Sequence, residues 1–279
     1  MADNIDIIAK LHDLLKLEGS QYHWCPDKHP LANEFKKKHP SLWKGLKHHC
    51  VFWSYRHGCH TQVDRAAFCL SVADHKSSAI SRRLSRIYSS RGVYRVWKDE
   101  PSDYQDADII PDILQKAITY DTLSDLYKAF SKDFEARAET MRKQDGSSFT
   151  SLRTHSELTA AWFRYFLNNA DYYQLPQGTA STYAFRKNMF SGKVLLVRCK
   201  IRTHGRLARL RDLQIVKDIF DKKREVIEAL GNVVLYELPD EILIPVCPDS
   251  GKDIADKLES ILSTNHYVEF TIVETPLRN

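Results

Sequence analysis

The chain opens on an apolar stripe with helical spacing. Ile7, Ile8, Leu11, Leu14 and Leu15 recur at intervals of three and four, which predicts an amphipathic helix over 7–16 with one buried face. On such a helix His12 and Asp13 are adjacent, about 100° apart, at the edge of the apolar face. The stretch 18–40, crowded with His, Pro and Lys, predicts a loop. Helical periodicity resumes over 42–54 through Trp43, Leu46, His49, Phe52 and Trp53. It returns over 62–86, where Ala66, Ala67, Leu70, Val72, Ala73 and Ala79 form the stripe. The polar, acidic run 91–111 predicts a surface loop, and 113–142 a charged helix broken at Gln144-Asp145-Gly146. Ser151 stands where an N-cap belongs, ahead of the apolar helix 158–167.

The period then changes. Leu175-Pro176-Gln177-Gly178 signals a linker, and from Lys193 the order is β-α-β-β-α-β. Strands are expected at 194–199, 233–238, 242–246 and 267–273, with helices at 210–230, closed by Gly231, and at 252–262. That order is the split βαβ arrangement of ferredoxin-like domains. The expected fold class is therefore α+β: an all-α domain over 1–175, a linker over 176–191 and a ferredoxin-like domain over 192–279.

Composition narrows the class. With 279 residues, 43% apolar and 28% charged, the chain is ordinary for a globular protein of one or two domains. The basic excess is mild, 41 Lys and Arg against 36 Asp and Glu, which permits contact with nucleic acid without requiring it. No apolar run reaches the ~18–20 residues of a membrane span, and the acidic start lacks the form of a signal peptide. The six cysteines form no CxxC pair and no regular framework, so reduced thiols and a cytoplasmic location are expected.

The chemistry-bearing residues are histidines and aspartates beside apolar helical positions: His12, Asp13, the pair His48-His49, Asp74 and His155. Asp74 lies in the run Leu70-Ser71-Val72-Ala73, where a carboxylate is costly unless paired or bound to a metal. Brought together, such residues would hold one or two divalent ions that acidify a water molecule for attack on a phosphodiester. Asp13 would be the shared ligand if two ions bind. Of the histidine pair, His49 is chosen because it falls in step with Leu46 and Trp53. A separate zinc site from His48-His49-Cys50 and His57-Gly58-Cys59-His60 matches no common spacing. Ser250-Gly251-Lys252 lacks the remainder of a P-loop, so no nucleotide cofactor is expected. Phosphate contacts are expected from Lys16, Arg82 and Arg83. The four arginines Arg202, Arg206, Arg209 and Arg211, within ten residues, suit nucleic-acid phosphates or an acidic partner.

Three segments carry a family resemblance. Leu11-His12-Asp13-Leu14-Leu15-Lys16 resembles the leucine-histidine-aspartate-isoleucine-glycine-lysine segment that opens the large subunit of type III CRISPR effector complexes. Val72-Ala73-Asp74-His75-Lys76-Ser77-Ser78 resembles its alanine-aspartate segment. Ser151-Leu152-Arg153-Thr154-His155-Ser156-Glu157-Leu158-Thr159-Ala160-Ala161 is similar to its serine-leucine-tyrosine-aspartate-histidine-x-x-x-threonine-alanine-alanine stretch. The order is that of the family's permuted HD domain followed by a palm domain. Leu15 replaces the family's glycine, and Thr154 the aspartate before its last histidine.

The resemblance implies an HD nuclease that cuts single-stranded DNA in antiviral defence. Its catalytic residues would be His12 and Asp13, and its metal ligands His12, Asp13, His49, Asp74 and His155. The ion would be a transition metal such as Mn²⁺ or Ni²⁺, and the partners the subunits of an RNA-guided complex, with no membrane. Synthesis of cyclic oligoadenylate is not expected here. The first palm strand ends Arg198-Cys199-Lys200 without an acid, and the turn at Pro239-Asp240-Glu241 lacks glycines, so the palm is expected to be structural. The rival readings are a catalytically inactive CRISPR scaffold subunit and an HD phosphohydrolase of free nucleotides.

Overall fold

The computed structural model describes residues 2–18, 22–23, 25–48, 65–90, 110–137, 151–173, 192–201, 217, 221, 234–237, 241–247, 251–262 and 268–277, with side chains described for most of them. The chain divides into two units, Met1–Ala184 and Phe185–Asn279, and its class is α+β.

The described part of the first unit is helical. Its elements are α1 (Ala2–Lys10), α2 (Ala32–Lys38), α3 (Pro40–Leu46), α4 (Arg65–Ser90), α5 (Ile113–Ile118), α6 (Leu123–Ala136) and α7 (Leu152–Asn168), with single 3-10 turns at Leu14–Leu17 and Pro26–Lys28. Helix α7 is the packing centre, with α1, α4 and α6 all lying against it. It begins on a true cap, since Ser151 Oγ accepts a hydrogen bond from the Thr154 amide. Its Trp162 and Phe166 rings stack with centroids 5.7 Å apart. Leu11, Leu14, Leu15, Phe35, Leu42, Leu46, Leu126 and Phe134 belong to one buried cluster. Each such side chain contributes about 1.5–3 kcal/mol on leaving water.

Three expectations are corrected. The first helix does not run through 7–16. It ends at Lys10; Leu11-His12-Asp13 form a turn, and Leu14–Leu17 is 3-10. Apolar residues three apart satisfy a 3-10 turn as well as an α-helix, so the stripe continues although the helix does not. The supposed loop 18–40 contains α2, whose buried face is only Ala32 and Phe35. The single helix expected over 113–142 is two, because Thr122 adopts an extended conformation and caps α6 by accepting from the Asp125 amide.

The second unit contains β1 (Gly192–Ile201), β2 (Tyr236–Glu237), β3 (Glu241–Val246), α8 (Gly251–Leu262) and β4 (Val268–Leu277). The sheet order is β2-β3-β1-β4, with every neighbour antiparallel. Leu195, Ile242, Ile244, Val246 and Leu258 form its small core. Of the helix expected over 210–230, only Lys217 and Asp221 are described, and both are helical.

Candidate metal centre

Asp74 is positioned by α4, a helix buried without interruption from Phe68 to Asp74. A carboxylate there has no access to bulk water and must be met by protein donors or a cation. His155 is on the first turn of α7, which packs along α4. Its Nε2 lies 3.0 Å from Asp74 Oδ1. His12 and Asp13 come from the turn after α1, and both are buried. The following 3-10 turn is fastened from outside. The Ile110 amide donates to the Leu17 carbonyl, and the Arg137 guanidinium donates to the Lys16 carbonyl.

These four residues converge. One ligand atom from each of His12, Asp13, Asp74 and His155 lies within 4.8 Å of the other three. His12 Nε2 is 3.3 Å from Asp13 Oδ2 and 3.7 Å from Asp74 Oδ1. His155 Nε2 is 3.4 Å from Asp13 Oδ2. Four ligands at ~2.1 Å around one tetrahedral ion stand roughly 3.4 Å apart, so this cluster has the edge length of a coordination shell. Two imidazoles and two carboxylates suit a divalent ion of borderline hardness.

The tautomers of His12 and His48 agree with that use. His12 Nδ1 donates to the Ala9 carbonyl at 2.6 Å, and His48 Nδ1 to the Gly45 carbonyl at 2.8 Å. In each ring the proton is thereby held on Nδ1, leaving Nε2 with its lone pair directed at the carboxylates. His12 Nε2 and Asp13 Oδ1 are buried and make no hydrogen bond among the described residues. Polar atoms kept dry in this way are the ones a cation would satisfy. The cluster can hold a metal ion.

Charge is distributed accordingly. Burial by itself pushes the Asp13 carboxyl up, but His12, Lys16, His155 and His23 outweigh it and hold the group well below the usual carboxylate range. Lys16 Nζ lies 2.6 Å from Asp13 Oδ2. Burial lowers His23 well below the ordinary histidine value and lowers His48 in the same direction, so both are neutral at pH 7.

The structure gathers His12, Asp13, Asp74 and His155, four of the ligand candidates read from the sequence, and sets Lys16, expected as a phosphate contact, beside Asp13. His49 lies outside the described residues. Its neighbour His48 is fully buried, with Nε2 3.5 Å from Asp74 Oδ2. The phase argument for His49 ran through Leu46, where α3 ends, so it had no continuous helix to act on. His23 was missed. It follows the 3-10 turn, is buried, and puts Nε2 3.7 Å from Asp13 Oδ1. Its sequence signal is faint, an imidazole beside Tyr22 in a stretch otherwise typical of loops. Arg82 and Arg83 lie on α4, but their side chains are outside the described set, as are Arg202, Arg206, Arg209 and Arg211 altogether.

Cys69 and Cys247 are buried and Cys25 is exposed. Among the described residues no helix is long and apolar enough to cross a membrane. No protein-family model matches the chain, and no curated protein matches it.

Proposed function

We propose that the chain is a metal-dependent phosphodiesterase of the HD type, acting on single-stranded DNA in the manner of the large subunit of type III CRISPR effector complexes. One observation carries this reading. Ligands from three distant segments, His12-Asp13, Asp74 and His155, meet in one buried cluster, and these are the segments whose sequences resemble that family's. The two departures from the family's pattern leave the cluster intact. Thr154 is exposed and bonds Ser151 at the helix cap, and Leu15 packs in the core.

A bound divalent ion, Mn²⁺ or Ni²⁺ on this reading, supplies Lewis acidity for a phosphoryl oxygen and for the attacking water. The chain's own residues fix it in place. The Ala9 carbonyl orients His12, the buried α4 face holds Asp74, and the α7 cap sets the direction of His155. Lys16, 12% exposed at its side chain and beside Asp13, is proposed to meet a substrate phosphate.

The second unit, on the same reading, is a ferredoxin-like palm that serves as a platform for the nucleic acid and for partner subunits of an RNA-guided complex in the cytoplasm. The order β2-β3-β1-β4, antiparallel throughout, and the helix α8 between β3 and β4 support it. It is proposed to make no cyclic oligoadenylate, since β1 carries Arg198-Cys199-Lys200 where an acid would be needed.

The test is degradation of labelled single-stranded DNA with Mn²⁺, Ni²⁺ or EDTA, comparing wild type with His12→Ala/Asp13→Ala. Metal-dependent cutting that the double variant loses is the expected result. A folded, metal-loaded wild type that cuts no single-stranded DNA would overturn it. Hydrolysis of free nucleotides instead would select the phosphohydrolase reading.

A further inference from the structure

We infer that the lysine face of the paired helices α2 and α3 binds the phosphates of a nucleic-acid duplex. Residues 27–47 carry six lysines against two acids, Asp27 and Glu34. That is a net +4 within 21 residues, where the whole chain of 279 carries +5. Helix α2 buries only Ala32 and Phe35, so Lys36, Lys37 and Lys38 all stand outside. Helix α3 follows at once, since His39 ends α2 and begins α3. It buries Leu42, Trp43, Gly45 and Leu46 and leaves Lys44 exposed, about 7.5 Å along the axis from the shared residue. Glu34 is the only acid on either helix. Lys38 pairs with Asp121 and Lys47 with Asp27. Lys36 and Lys37, by contrast, make no ion pair or hydrogen bond among the described residues.

A helix end gains from one cation in its last turn, but three in succession repel one another. A polyanion would relieve that repulsion. Neither helix exposes a large apolar side chain, as a protein partner or a membrane surface would require. Nucleic acid needs none, because its phosphates supply the binding energy through released counterions.

The missing aromatic rings choose between its two forms. Proteins that grip single strands stack the bases on exposed rings along a basic groove. On these helices Phe35 and Trp43 are 0% and 3% exposed, so the face has no stacking platform. It has no arginine fork for base edges either. What it offers is a set of point charges, suited to a duplex that carries one charge per ~1.7 Å of its axis. The contact is therefore independent of base sequence, and it does not depend on the metal-centre reading.

Fluorescence anisotropy of a labelled DNA duplex of about 20 base pairs, titrated with the full chain in EDTA between about 50 and 200 mM salt, tests this. Lys36→Gln/Lys37→Gln is expected to bind about tenfold more weakly and to reduce the slope of log K against log salt by ~1.8. Lys128→Gln/Lys132→Gln removes the same charge from exposed positions on α6 and is expected to bind as wild type does. All four side chains are exposed, and circular dichroism checks that both variants are folded. Equal weakening in the two variants would reduce the effect to net charge and overturn the assignment to this face. So would an α2 variant that binds like wild type. Tighter binding of a single strand of the same length would overturn the choice of duplex. A wild type that binds no duplex at ~50 mM salt would overturn the inference outright. Each of these failures leaves the metal centre standing, since EDTA keeps any ion out of the assay.

Discussion

His155 Nε2 and Asp74 Oδ1 are 3.0 Å apart in a dry interior although 81 positions separate them in the chain. The contact joins α4 and α7, each of which carries one of the four ligands. Replacing Asp74 with Asn keeps the volume and removes the charge. The variant is expected to lose metal affinity by at least ~100-fold, beyond the effect of losing a supporting partner, measured by Mn²⁺ titration.

Lys16 should show opposite effects in two assays. Its ammonium competes with any cation for Asp13 Oδ2. Lys16→Met is expected to tighten Mn²⁺ binding by up to about tenfold, while slowing any cleavage that uses Lys16 as a phosphate contact. The same variant should melt lower when metal-free, because Asp13 then keeps a buried charge with less compensation. Calorimetric titration and thermal melts with and without Mn²⁺ separate the two effects.

Gly45 is a packing constraint with a consequence for the site. A Cβ there would stand 2.7 Å from Ile8 Cγ2, where α3 approaches α1. Gly45→Ala is expected to destabilise the domain by about 1–3 kcal/mol. Since the Gly45 carbonyl holds His48, the shift should also weaken metal binding. Urea denaturation and Mn²⁺ titration check the two parts.

Acid should destabilise the fold through His39, away from the metal cluster. Burial lowers its value below the ordinary 6.5, against the carbonyl of Ala117, which accepts from Nε2 at 3.4 Å. The unfolded chain therefore takes up this proton first as pH falls. The stability contributed by neutral His39 is complete above 6.5 and is lost as pH drops from there through the lowered folded value. Stability of the protein in EDTA should fall between pH 7 and 5, and His39→Gln should flatten that part of the curve in denaturant titrations.

The N-cap of α7 offers a local test. Ser151→Ala removes the acceptor for the Thr154 amide and should cost about 1 kcal/mol of stability. Melting followed by circular dichroism reads it.

Much of this site was legible because burial marks the sequence. Asp74 and His155 each sit inside an apolar helical stripe, and a charged or titratable residue in such a place announces a partner. Where the reading failed, the cause was geometry that periodicity does not encode. The turn that breaks the first helix keeps the same apolar spacing, so His12 and Asp13 were found for the right residues on the wrong element. His48 could not be chosen over His49 by helical phase once α3 had ended between them and Leu46. His23 meets Asp13 from only ten positions away, but the contact follows no helical or strand repeat, so periodicity leaves it unmarked. In the second unit the strands were visible as alternating and apolar runs, whereas their register depends on pairing between distant segments.

The docking of α1 against α7 brings an N-terminal element onto one some 150 residues later. A helical domain closed in this way must complete a long loop before its ligands coexist, so an ion has nothing to grip in the early, locally helical stages of folding. It should leave the refolding rate nearly unchanged and retard unfolding, acting as a latch set after the chain has already closed.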